Sequence, residues 1–143
     1  MAILETLRTD PMAFLRNVLR TNAAFSILSG VLMIGGGAGL GRWLGRSGSV
    51  APDGVVLLVF GGLILWIARR ESVNLKAATA VIALDALYVV DTARQILTGQ
   101  FSGAGNWFYG VVTLLVLDLA VMQTIGAIRS ARTTPVALAA DRS

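Results

Sequence analysis

VIALDALYVVDTAR, residues 81–94, reads as a helix that would cross a bilayer without remark if it did not carry Asp85 and Asp91. An ionisable group in hydrocarbon is costly and normally faces a protein interior or a water-filled cavity. This helix therefore needs neighbours that shelter its acids, and the apolar runs on either side of it can supply them.

A hydrocarbon core of about 30 Å takes roughly 20 apolar residues per helix. Working outward, the acidic run belongs to a span predicted at 77–97, preceded by the charged turn RRESVNLK. Residues 21–44 and 50–68 read as the first and second spans, and 107–128 as the fourth. The totals agree: 55% of residues are hydrophobic, 14% are charged and the mean hydropathy is +0.73, whereas soluble domains carry about 25% charged residues. The expected fold class is all-α: a polytopic membrane protein with a four-transmembrane-helix bundle over 21–128, a short N-terminal amphipathic helix within 1–20 and a cytoplasmic tail over 129–143.

In the N-terminal segment Ile3, Leu4 and Leu7 can share one helical face. Asp10 followed by Pro11 has the form of an N-cap with proline at the first helical position. The helix that starts there sets Phe14, Leu15, Val18 and Leu19 against Arg16 and Arg20, either lying at a headgroup surface or extending the first span.

Cytoplasmic flanks of membrane proteins collect Lys and Arg. Arg8, Arg16, Arg20, Arg69, Arg70, Lys76, Arg129, Arg132 and Arg142 fall on one side, and only Arg42, Arg46 and Arg94 on the other. Both termini are therefore expected in the cytoplasm. Trp43, Trp66 and the Trp107, Phe108, Tyr109 cluster stand where interfacial belts belong. The net charge of +4 follows from this topology and does not argue for nucleic acid. With no Cys and no His, disulfides, thiol chemistry and the commonest haem, zinc and copper ligand are excluded. No cofactor or metal is called for.

Gly35 and Gly39, like Gly37, Gly41 and Gly45, are spaced by four, and Gly61 and Gly62 interrupt the second span. Small residues at this spacing let helix backbones approach closely in lipid, where association relies on packing. A phosphate-binding loop is not indicated, because neither G-x-G-x-x-G nor G-K-[ST] occurs.

The residues that can carry chemistry are acids. At 1.5 Å per residue, Asp85 lies about 14 Å from Lys76, and Asp118 about 16 Å from Arg129. Both are thus expected near the midplane, on the third and fourth spans, which a short loop makes neighbours. Two adjacent carboxylates in low dielectric repel too strongly for both to stay charged. Either a shared proton or bound cation in a transport path, or a protonated acid that hydrogen-bonds across helices and fixes their register, is expected. Tyr88, on the face of Asp85, and Asn22, Ser26 and Ser29, on the first span, are possible hydrogen-bonding partners. Asp91 precedes Arg94 by three residues, the spacing of a structural in-helix ion pair.

NAAFSILSG (22–30) opening a first span and LDALYV (84–89) in a third resemble uncharacterised small four-span proteins of bacterial membranes. The resemblance implies a multi-pass protein of the bacterial inner membrane and assigns no functional residue. Two functions are consistent with these residues. The first is a non-enzymatic membrane scaffold or accessory subunit, packing through its glycine-rich faces into a homo-oligomer or a larger membrane complex. The alternative is a small oligomeric channel or carrier that moves protons, cations or small solutes past Asp85 and Asp118.

Overall fold

A computed structural model describes residues 2–140, without the side chains of residue 3 and residues 134–140. These residues form five helices and, among them, no strand: α1 Ala2–Thr9, α2 Pro11–Trp43, α3 Ala51–Ala68, α4 Leu75–Leu97 and α5 Gly103–Ala140. Pro11–Trp43, Ala51–Ala68 and Gly103–Thr133 are long and apolar enough to cross a membrane. α4 has the length, at 23 residues, but Lys76, Asp85, Asp91 and Arg94 keep it below the same apolar standard.

Two boundaries differ from the sequence pattern. Asp10 caps α2 as expected, its Oδ1 accepting from the Ala13 amide at 2.9 Å. The helix then runs on for 33 residues without a break at 20. Its first turns are therefore an extension of the apolar run, not a separate surface helix, because Phe14, Leu15, Val18 and Leu19 are all buried by other helices. At the far end α5 continues past 128 into the segment assigned to the tail, as far as Ala140. Residues 141–143 of that tail lie outside the described residues. In α1, Leu7 is buried against Phe14, Val18, Leu119 and Met122, whereas Leu4 is exposed.

The helices pack as two pairs. α2 lies along α3, α4 along α5, and α2 along α5 joins the pairs, while α3 and α4 scarcely touch. Small residues allow the α2–α3 approach. A methyl group built on Gly54 would stand 2.6 Å from the Gly30 carbonyl oxygen, and one on Gly61 would stand 2.7 Å from Ile27 Cγ1. Contacts within the chain use only some of the glycines picked out by spacing. Of the glycines singled out by spacing, Gly61 packs against α2, and Gly41 and Gly45 are crowded by Gly48 and Ser102. Gly35, Gly39 and Gly62 meet nothing within 4 Å. Within the chain the closest approaches are at Gly30, Gly41, Gly45, Gly54, Gly61, Gly105 and Gly126, because contact depends on which face meets a neighbour.

Gly37 breaks the regularity of α2, with φ 45° and ψ −126°. Side chains disfavour this region, so glycine permits the kink. The loop repairs its polarity: the Val50 amide donates to the Gly37 carbonyl at 3.3 Å. Ser102 ties the same end to the α4–α5 loop. Its hydroxyl donates to the Trp43 carbonyl at 2.9 Å and accepts from the Gly105 amide at 3.0 Å, capping α5.

Two apolar clusters occupy the two ends. Leu15, Leu19, Ala23, Ile64, Ala68, Val73, Ala78 and Val81 fill the end where Arg16 donates to the Glu71 carbonyl. Met33, Leu44, Val50 and Tyr109 fill the other, with Phe101 stacked on Tyr109 at 4.3 Å. The outer surface carries large exposed apolar side chains, among them Leu32, Val56, Leu63, Leu87, Val90 and Leu114. Such a surface suits lipid better than water.

Candidate functional site

Between the apolar ends lies a buried polar cluster built by three helices. On α4, Ala78, Val81, Asp85 and Thr92 fall on one buried face, and Asp85 is only 4% exposed. Asn22 of α2 donates from Nδ2 to Asp85 Oδ2 at 2.7 Å. Gln123 of α5 donates from Nε2 to the same oxygen at 3.2 Å. Ser26, one turn beyond Asn22, donates to Asn22 Oδ1 at 3.5 Å. This contact orients the Asn22 amide so that its NH₂ faces the acid. Asn22 and Gln123 are essentially inaccessible. No described residue donates to Asp85 Oδ1.

A buried acid costs free energy unless hydrogen bonds hold it. The two donors meet part of that demand and fix the carboxyl plane, while Oδ1 keeps its capacity for another partner. Asp85 also forms part of the wall of a cavity of about 920 Å³ between α2, α3, α4 and α5. Asn22, Ser26, Ser29, Asp85 and Tyr88 supply its polar lining. Phe25, Phe60, Phe108 and Tyr109 line it with aromatic rings, and the rest is aliphatic. Gly35 and Gly36 belong to this wall, where a missing side chain leaves room. Val56 of α3 and Leu84 of α4 line the cavity and are more than half exposed. Because α3 and α4 hardly meet, the cavity opens sideways between them.

The midplane pair expected from the sequence is not assembled. Asp118 is exposed and lines a different groove, of about 600 Å³, between α1, α2 and α5. The α5 partner of Asp85 is Gln123, five residues further on and about 140° round the helix. One sequence signal was available for it: an amide inside the apolar run VMQTIG. Tyr88 and Ser29 reach the cavity without bonding Asp85 directly, and Asn22 and Ser26 join the cluster. Asp91 accepts from Arg94 at 3.1 Å and from Gln95 at 2.6 Å, with both members of the ion pair largely exposed. A second exposed pair, Arg46–Asp53, ties the α2–α3 loop to α3.

Chemically, the arrangement suits binding. Pockets of about 300–1,000 Å³ with apolar walls and few polar groups hold small molecules, the polar groups fixing orientation. A carboxyl oxygen facing such a space selects a hydrogen-bond donor or a cation, and aromatic faces favour a cation as well. Among the described residues no group of three or more His, Cys, Asp or Glu could hold a metal ion. The chain matches no protein-family model, no curated protein and no solved structure, so the geometry of this site is what any functional reading rests on.

Proposed function

We propose that this chain is a four-span protein of a bacterial inner membrane that binds, and carries, a small amphipathic cation in the cavity beside Asp85. The observation that carries the reading is the placement of Asp85: a buried acid, held by Asn22 and Gln123 from two other helices, on the wall of a largely apolar cavity that opens sideways. In this reading α4 crosses the membrane as the least apolar of four spans, its acid sheltered by α2 and α5. The basic end, with Arg16, Arg20, Arg69, Arg70, Arg129 and Arg132, lies in the cytoplasm with both termini. An amphipathic solute dissolved in the bilayer enters between α3 and α4. Its apolar body replaces lipid against Phe25, Phe60 and Val112, and its charged head meets Asp85 Oδ1.

Ethidium, an aromatic monocation with exposed amino groups, is a suitable probe, with protein-free liposomes as the control for uptake. Purified protein in nanodiscs should bind it, and proteoliposomes should take it up. Asp85→Asn should weaken binding at least tenfold, because the amide keeps the shape and loses the charge. Equal binding by wild type and Asp85→Asn sinks the proposal.

A scaffold role stays as the second reading, favoured by one observation. Gly35, Gly39 and Gly62 face open space, leaving small-residue surfaces on α2 and α3 for another helix to approach. In that case Gly39→Leu would break a specific assembly, and a chain that purifies as a lone monomer in mild detergent would count against it.

A further inference from the structure

Three acids lie along the apolar helices α4 and α5, and the fold gives two of them hydrogen-bond partners. Asp85 is held by Asn22 and Gln123, and Asp91 by Arg94 and Gln95. Asp118 accepts no hydrogen bond and forms no ion pair among the described residues, and it is exposed. It stands mid-helix, about 16 Å from Arg129, between the exposed side chains of Leu114, Leu117 and Val121. Hydrocarbon offers such a group nothing, so in a membrane its partner has to come from outside this chain's own fold.

The geometry points to a second copy of this chain as that partner, docked α5 against α5 so that the two Asp118 carboxyls meet and share a proton. Copies in one membrane have one orientation, so a two-fold axis along the membrane normal runs the two α5 helices parallel and sets each residue opposite itself. Asp118 then finds a carboxyl at its own depth, without needing a foreign Lys or Arg placed to match. Val111, Leu114, Asp118, Val121, Ile125 and Ile128 are all exposed at alternating spacings of three and four, the period of a left-handed helix seam. One polar residue in such a seam sets its register, and interhelical hydrogen bonds by polar side chains hold helices together in lipid. Asn17 and Thr21 of α2 line the same groove as Asp118 without bonding it. No Lys or Arg lines that groove. This surface is separate from the Asp85 cavity and from the open glycines, so it stands whether or not those readings hold.

The absence of Cys makes the test clean. Single-cysteine variants at Leu114 and Val121 should form intermolecular disulfides on mild oxidation in native membranes, and those at Val59 and Leu87, on outward faces of α3 and α4, should not. In sedimentation equilibrium in mild detergent, Asp118→Leu should raise the dimer dissociation constant about tenfold, while Asp118→Asn, which keeps amide hydrogen bonds across the seam, should stay within about threefold. At concentrations where both are monomeric, thermal unfolding of Asp118→Leu should match wild type, because the side chain is exposed in the single chain. Equal cross-linking at all four sites, an unchanged dissociation constant in Asp118→Leu, or a monomer that copurifies in one-to-one ratio with a different protein would overturn the proposal.

Discussion

Replacing Gly54 by alanine tests how α2 and α3 are held together. The added methyl would stand 2.6 Å from the Gly30 carbonyl oxygen, 2.9 Å from Met33 Cβ and 3.0 Å from Ile34 Cγ1. Ordinary contact begins at 3.4 Å, so the helices must part locally by about 0.8 Å or bend around the methyl. Two of the three obstacles are the Gly30 carbonyl and a Cβ atom, which no rotamer change can move. Overpacking of this kind costs about 1–3 kcal/mol. Alanine also gains up to about 1 kcal/mol of helix propensity over glycine, which offsets part of the loss. Gly62→Ala, on the same helix, supplies the matched control: it carries the same propensity gain and meets nothing within 4 Å. The difference between the two variants is then the packing term alone, about 1–3 kcal/mol. Titration with SDS in mixed micelles, followed by fluorescence of the three Trp residues, measures it. Gly62→Ala should unfold at or above the wild-type midpoint and Gly54→Ala clearly below. If Gly62→Ala proves as harmful as Gly54→Ala, the α2–α3 interface does not run along the Gly54 and Gly61 face.

The same assay checks three further expectations. Asn22→Leu and Gln123→Leu each remove a donor from a buried carboxyl and should each cost about 1.5–3 kcal/mol; because both donors meet one oxygen, a double-mutant cycle should show coupling of at least about 0.5 kcal/mol, and strict additivity would mean that they do not share Asp85. Ser102→Ala should lose about 1–2 kcal/mol, since one hydroxyl both caps α5 and holds the end of α2; a change under about 0.3 kcal/mol would contradict that double role. Asp91→Asn should cost no more than about 0.5 kcal/mol, as befits an exposed ion pair, and a loss as large as that of Asn22→Leu would place Asp91 in the interior.

Axial position was legible in the sequence and azimuth was not. The long helices, their order and their basic end follow from run length and charge placement, which are properties of each segment taken singly. The depth of Asp85 follows in the same way, from counting residues back to Lys76. Which way a residue points depends on a neighbour that the pattern of a single helix does not show. The glycines illustrate this. Spacing by four drew attention to Gly35 and Gly39, which meet nothing, while the working contacts use a spacing of seven: Gly54 and Gly61 on α3, against Ala23 and Gly30 on α2. That period was written in the chain, but dense glycine nearby obscured it.

The acids make the same point with more at stake. Counting residues from the basic ends gives Asp85 and Asp118 similar depths, and that alone made them look like partners; in the fold Asp85 stands at the level of Gln123, about 7.5 Å along α5 from Asp118. On α5, however, Gln123 and Asp118 lie about 140° apart, so the helix cannot turn both toward Asp85. The fold turns the neutral amide inward, where it can donate to the acid without adding a second charge, and leaves the carboxyl outside. Such a choice is unfavourable for an isolated chain in lipid, since it exposes the more polar of the two groups. It is reasonable only if something covers that face. The requirement that first linked two acids within one chain is thereby split in two: inside, Asp85 is solvated by amides and faces a cavity; outside, Asp118 awaits a partner at its own depth.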